Sequence, residues 1–107
     1  MKTVDKPWGK EEILEVNDKY VVKKLHMKKG KRCSLQHHEQ KTETIYVLSG
    51  ILLLHKDGKI IMMKPGNFCT ILPGEIHRME GKEDATYLES STPELDDVIR
   101  VEDDYGR

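Results

Sequence analysis

The sequence lacks any apolar stretch long enough to cross a membrane. Such a span needs about 20 consecutive apolar residues. Here the apolar residues come in short runs, Ile45-Tyr46-Val47-Leu48, Ile51-Leu52-Leu53-Leu54 and Ile60-Ile61-Met62-Met63. The first residues, Met1-Lys2-Thr3-Val4-Asp5-Lys6-Pro7-Trp8, contain no apolar h-region, so no secretory signal is expected. Only two cysteines, Cys33 and Cys69, are present, too few for a disulfide framework. Reduced thiols and a cytoplasmic setting are expected, with both cysteines serving as small strand hydrophobes. An excess of one charge sign is also missing. The 18 basic and 19 acidic residues leave a net charge of −1, which gives no global field for nucleic acid or membrane. The one local excess, Lys23 to Arg32, lacks the interleaved aromatics that stack bases and reads as a solvated strand and turn.

Helical periodicity is absent apart from a weak trace near the C-terminus. What is there instead is a series of short apolar runs punctuated by Gly and Pro. The 107 residues suffice for one domain, since two halves would each bury too little apolar surface. A domain over 1–107 is therefore expected. Trp8-Gly9 opens it, and strands are predicted over 11–16, 20–27, 33–38, 43–48, 68–72, 77–80, 86–90 and 98–101. The clearest hairpin joins 52–56 to 59–62 through Asp57-Gly58, because that pair accepts the positive φ angles of a type I′ turn. Eight to ten short, closely spaced strands imply an all-β sandwich or barrel, and closing the sheet removes its exposed edges. A barrel of about eight strands has room for one small ligand.

The informative segment runs from Gly30 to Gly50. Residues two apart on a strand share a face, so Gln36 and His38 point one way and His37 the other. After a four-residue loop, Glu43 starts the returning strand and reaches the same point. His77 arrives later, its approach fixed by Pro73-Gly74. Gln36, His38, Glu43 and His77 offer two oxygens and two imidazole nitrogens. That set suits a borderline divalent ion such as Zn, Mn, Fe, Co or Ni. Against it stands the plain reading of polar strand residues facing solvent. His26 and His55 are expected on the surface, Met62 and Met63 in barrel packing, and Trp8 as a core or dimer anchor.

The spacing Gly30, five residues, Gln36-x-His38, four residues, Glu43, six residues, Gly50 resembles the first cupin motif, with Gln36 in place of its first histidine. Gly66 to Pro73-Gly74-Glu75-Ile76-His77 resembles the second, with slightly altered spacing and with Gly81 where its trailing asparagine is expected. A closer resemblance, nearly end to end, is to the type II mannose-6-phosphate isomerase domain. It rests on Pro7-Trp8-Gly9, Tyr20-Val21-Val22-Lys23, Ser34-Leu35-Gln36-x-His38 and the block from Asp96-Asp97 through Tyr105-Gly106-Arg107. That domain is often the C-terminal part of a bifunctional enzyme with a mannose-1-phosphate guanylyltransferase. No nucleotide-binding domain accompanies it in this chain, so guanylyl transfer is not expected of it.

The resemblance implies a cupin double-stranded β-helix (jelly-roll) barrel, a homodimer paired through an N-terminal strand, and a metal site at Gln36, His38, Glu43 and His77. It also implies isomerisation of mannose 6-phosphate to fructose 6-phosphate through an enediolate. Arg100 and Lys41 are the expected catalytic residues, Arg100 as a phosphate ligand, and Lys41, Glu39 and Glu75 are the candidate bases. Arg78 is expected in a salt bridge with an acid such as Asp97 or Glu102. The chain departs from the family at Lys41, where an arginine is usual, and at Thr44-Ile45, where His-Trp is usual. An arginine's planar fork is not reproduced by lysine. Two other classes remain: a non-catalytic cupin binding a sugar phosphate or sugar nucleotide, and another metal cupin enzyme, for example an oxygen-using one.

Overall fold

The structure is a computed structural model and describes residues 2–106; Arg107, part of the family-like terminal block, lies outside the described residues. Eleven strands follow in chain order: β1 (Lys2–Lys6), β2 (Gly9–Val16), β3 (Val21–Met27), β4 (Leu35–His37), β5 (Glu43–Ser49), β6 (Leu52–Lys56), β7 (Lys59–Met63), β8 (Phe68–Ile71), β9 (His77–Gly81), β10 (Ala85–Ser91) and β11 (Ile99–Glu102). They form a six-stranded sheet, β1-β2-β3-β10-β5-β8, and a five-stranded sheet, β11-β4-β9-β6-β7. No helix of the described residues is long and apolar enough to cross a membrane.

Alternation builds the barrel. On β3 and β10, and on β5 as far as Val47, every second residue is buried, placing Leu25, Met27, Ile45, Val47, Ala85 and Tyr87 inside. Leu52, Leu54, Met63 and Met79 meet them from the other sheet, with Trp8 and Cys33 closing the cluster. Trp8 is thus a core residue. Met63 packs inside as expected, whereas Met62 faces outward and is exposed. Both cysteines are free, Cys33 buried and Cys69 half-buried.

The hairpin at Asp57-Gly58 has the expected backbone, with φ of 53° and 75°. The strand β1 was not expected from the sequence. Its residues are mostly polar and partly exposed, and it holds the sheet edge by backbone pairing with β2 alone. Charges on an edge strand discourage further pairing, and they also erase the apolar alternation that marks a strand. The strand predicted over 33–38 shrinks to Leu35–His37, with Cys33 bonded instead to Met79 O through its backbone N–H.

Gly50, which closes the first motif, is needed for two reasons. Its φ is +75°, and an added Cβ would lie 1.9 Å from Asp84 O and 2.8 Å from Ala85 Cα. Gly50→Ala is expected to cost at least the about 1–3 kcal/mol of a left-handed non-glycine residue, read as a lowered denaturation midpoint. A midpoint equal to wild type would mean that the β5–β6 turn relaxes freely.

Candidate metal centre and cavity

The inner face of the six-stranded sheet changes character toward one end of the barrel. Alternation that buries Tyr87 also buries Glu89, and alternation that buries Leu25 also buries Lys23. Glu43 begins β5 at this end, and His77 begins β9 across from it. Three of the four residues expected to hold a metal meet here. His38, Glu43 and His77 are buried, and their donor atoms lie within 4.8 Å of one another.

Glu43 Oε1 is 3.3 Å from His38 Nε2 and 3.1 Å from His77 Nε2. Each imidazole is oriented from behind. His38 Nδ1 donates to Asp97 O at 2.5 Å, and His77 Nδ1 donates to Glu75 O at 2.9 Å. A proton held on Nδ1 leaves the Nε2 lone pair facing the carboxylate, the tautomer that metal-ligating histidines use. Glu43 Oε2 and His77 Nε2 are buried without a hydrogen-bond partner. Converging lone pairs and stranded buried atoms fit a divalent cation, as does the mixed nitrogen and oxygen donor set.

Gln36 pairs with His77 in register and lines the adjoining cavity. Its Oε1 accepts a 2.7 Å hydrogen bond from Ser34 Oγ and keeps a second lone pair. His37 is half-buried and opposite Ile99.

The cavity has a volume of about 440 Å³, within the range of roughly 300–1,000 Å³ usual for small-molecule sites. Lys41 links it to the buried cluster of His38, Glu43 and His77. Its Nζ lies 3.5 Å from Glu43 Oε2 and 3.6 Å from Glu89 Oε2, and both Lys41 and Glu89 line the cavity wall. Around the cavity stand five cations, Lys2, Lys6, Lys23, Lys41 and Arg100, against the carboxylates Glu11, Glu89 and Asp96. Lys23 pairs with Glu11 at 3.3 Å. Lys2, Lys6 and Arg100 have no ion pair among the described residues, so the unmatched charge at the rim is mainly positive.

The electrostatics follow from burial and crowding. Burial pushes the Glu89 carboxyl up to about 7, with the Glu43 charge adding to it and Lys41 and Lys23 opposing. Burial would also raise Glu43, but the adjoining His38 and His77 imidazoles and the Lys41 charge hold it well below the ordinary carboxylate value. His38 is raised: burial opposes the charged form, yet the bonds to Glu43 and to Asp97 O outweigh it. Lys41 is raised too, because Glu89 and Glu43 outweigh its burial. Hydrogen bonds from the Gln40 and Glu39 backbone N–H groups hold the Asp97 carboxyl below its ordinary value.

Other expectations fare differently. Arg78 is buried, donates from Nε to Cys33 O at 3.1 Å, and lies 3.6 Å from Asp104, so its acid partner is neither Asp97 nor Glu102. His26 and His55 are only partly exposed, each paired with a glutamate, Glu12 at 2.6 Å and Glu80 at 2.7 Å. Of the departures at 44–45, Thr44 faces outward, whereas Ile45 shares the inner face of β5 with Glu43. Thr44 Oγ1 bonds Thr70 Oγ1 across the outer face at 2.9 Å, and Ile45 is core. Three residues at the site escaped sequence reasoning, Glu89 and the lysine pair of β1, Lys2 and Lys6. Glu89 was findable as a charged residue in phase with Tyr87 on an alternating strand. Lys2 and Lys6 left no such signal.

Residues 1–103 match the family described as "Mannose-6-phosphate isomerase C-terminal". The mannose-1-phosphate guanylyltransferase of Escherichia coli (strain K12) is 33% identical over 111 residues, covering 99% of this chain and 23% of that protein. The xanthan biosynthesis protein XanB of Xanthomonas campestris pv. campestris (strain B100) is 28% identical over 99% of this chain and 24% of its own length. The chain thus spans about a quarter of these relatives. Among solved structures, KdgF from Halomonas sp. superposes with a TM-score of 0.83 at 18% identity, covering 91% of this chain and 90% of that one. An RmlC-like cupin from Shewanella frigidimarina gives 0.80 at 21% identity, covering 90% and 86%. The fold is therefore that of a cupin, a double-stranded β-helix, and the chain belongs to the mannose-6-phosphate isomerase C-terminal family.

Proposed function

We propose that this chain is a metal-dependent isomerase domain that interconverts an aldose phosphate and a ketose phosphate, with mannose 6-phosphate and fructose 6-phosphate as the pair suggested by its family. The observation that carries this reading is the conjunction of two oriented imidazoles on one buried carboxylate with a cavity whose unmatched charges are mainly cationic. His38, Glu43 and His77, with Gln36 beside them, would hold a Zn, Mn, Fe, Co or Ni ion that polarises the sugar carbonyl as a Lewis acid.

The proton transfer then falls to the chain's own carboxylates. Of the bases considered from sequence, Glu39 is exposed, and Glu75 accepts from the Leu72 N–H at 2.6 Å and pairs with Lys56 at 3.3 Å. Lys41 is held as an ammonium by two carboxylates, so its role is to offset the negative charge of an enediolate rather than to take a proton. Glu89 lines the cavity beside it and is the group we assign to move a proton between C2 and C1. Tyr87 Oη, buried without a protein partner on the same wall, is available to a sugar hydroxyl. Lys2, Lys6 and Arg100 suit the phosphate, Arg100 by paired charge-assisted bonds.

Arg100→Ala is expected to raise KM for a phosphorylated sugar by about 10- to 100-fold, the scale of one lost charged hydrogen bond, with kcat changed far less. Equal KM values in mutant and wild type would move the phosphate elsewhere. The reading as a whole is tested by a coupled assay of mannose 6-phosphate conversion on metal-loaded protein, with the activity lost on chelation. Lys41 in place of the family's arginine favours one rival, a non-catalytic domain that binds a sugar phosphate or sugar nucleotide. Metal-loaded protein that binds the sugar phosphate without turning it over would establish that rival.

A further inference from the structure

The loop between β4 and β5 carries His38 and Lys41. It is clasped by the segment that joins β10 to β11. Thr42 N–H donates to Thr92 Oγ1 at 3.0 Å, and Thr92 N–H donates back to Thr42 O at 3.0 Å. At the other end of the loop, one side chain takes three successive backbone N–H groups. Asp97 Oδ1 accepts from Glu39 at 3.1 Å, and Asp97 Oδ2 accepts from Gln40 at 2.7 Å and Lys41 at 3.0 Å. The backbone carbonyl of the same residue accepts from His38 Nδ1.

We propose that Asp97 is the positioning residue of the candidate metal centre, fixing the His38 tautomer through its main chain and the path from Glu39 to Lys41 through its carboxylate. The two contacts depend on each other. The carbonyl meets His38 only while the carboxylate anchors residue 97 to the loop. The same loop delivers Lys41, whose Nζ meets Glu43 and Glu89. A single residue therefore couples a metal-ligating imidazole to the cation at the cavity wall, from a segment more than fifty positions away in sequence. Loss of such an outer contact typically weakens metal binding by about 10- to 100-fold.

The proposal rests on reading His38, Glu43 and His77 as metal ligands, and the experiment separates the two. Co²⁺ is titrated into wild type, Asp97→Ala and Asp97→Asn, following the visible absorption. In parallel, the metal-free proteins are compared by hydrogen exchange at the amides of residues 39–41 and by the ¹⁵N shifts of His38. Asp97→Ala should bind Co²⁺ about 10- to 100-fold more weakly, lose amide protection and show mixed His38 tautomers. Asp97→Asn keeps one acceptor oxygen, enough for Gln40 and Lys41, and should restore part of each effect. If wild type takes up no Co²⁺, the metal reading fails, and the metal-free exchange and ¹⁵N data still decide the role of Asp97. Unchanged protection and an unchanged His38 tautomer in Asp97→Ala would overturn the proposal, as would Co²⁺ affinity equal to that of wild type.

Discussion

Glu89→Gln is expected to lower kcat by about 10²- to 10⁴-fold, the usual worth of a positioned acid–base group, while leaving the fold and metal content intact. The substitution keeps the size and shape of the side chain, so the packing of β10 survives; it removes the capacity to carry a proton and the charge beside Lys41, which keeps Glu43 at 3.5 Å as a partner. Burial and the Glu43 charge raise this carboxyl to about 7. A base must be ionised, so kcat/KM in wild type should climb as pH rises through an acidic limb that Glu89→Gln abolishes. A divalent ion on Glu43 cancels the second cause of the shift and should move that limb below the metal-free value. The stability effect runs the other way. A carboxyl raised above its ordinary 4.5 binds its proton more tightly in the folded chain. Its contribution is therefore fully present below about pH 4.5 and is lost as pH rises through about 7. Wild type and Glu89→Gln should diverge in stability across that window. A variant with wild-type kcat at every pH would remove Glu89 from the chemistry.

Glu43→Gln should weaken divalent-metal binding by at least about a hundredfold, beyond the effect of any supporting contact. Glu43 supplies the only formal negative charge among His38, Glu43 and His77, and both imidazoles converge on its Oε1. Glutamine fills the same volume, so the core formed by Ile45, Val47 and Tyr87 is undisturbed. Lys41 keeps its second partner, Glu89 at 3.6 Å, and is not left alone in the barrel. Competition titration against a chromophoric chelator measures the change. Undiminished affinity would place the ion elsewhere in the molecule.

Legibility in the sequence tracked locality. The Asp57-Gly58 turn was readable because two adjacent residues determine it, and His38 and Glu43 because a short loop separates them. His77 came through the rigid Pro73-Gly74 approach. Glu89 was overlooked because a lone acid in the strand Ala85–Ser91 carries no motif, although its phase with Tyr87 encodes its burial. The role of Asp97 had no local signature: its three N–H partners lie at residues 39–41 and become neighbours only when β4 and β11 pair. The strand Lys2–Lys6 was silent for a related reason. An edge strand paired through its backbone needs no apolar pattern, so its two cavity-lining lysines looked like an ordinary charged terminus. Thr44-Ile45 illustrates the converse. Adjacency to Glu43 suggests proximity to the site, but alternation sends Thr44 outward, while Ile45 stays on the inner face with Glu43 and packs in the core.

The proposed chemistry rests on a single divalent-metal centre at His38, Glu43 and His77. Its most direct test is the metal content of protein loaded with Zn, Mn, Fe, Co or Ni in turn and freed of loosely held ions. One ion per chain for at least one of these metals is the expected result. Less than a tenth of an equivalent under every loading condition, from protein that remains folded, would contradict it.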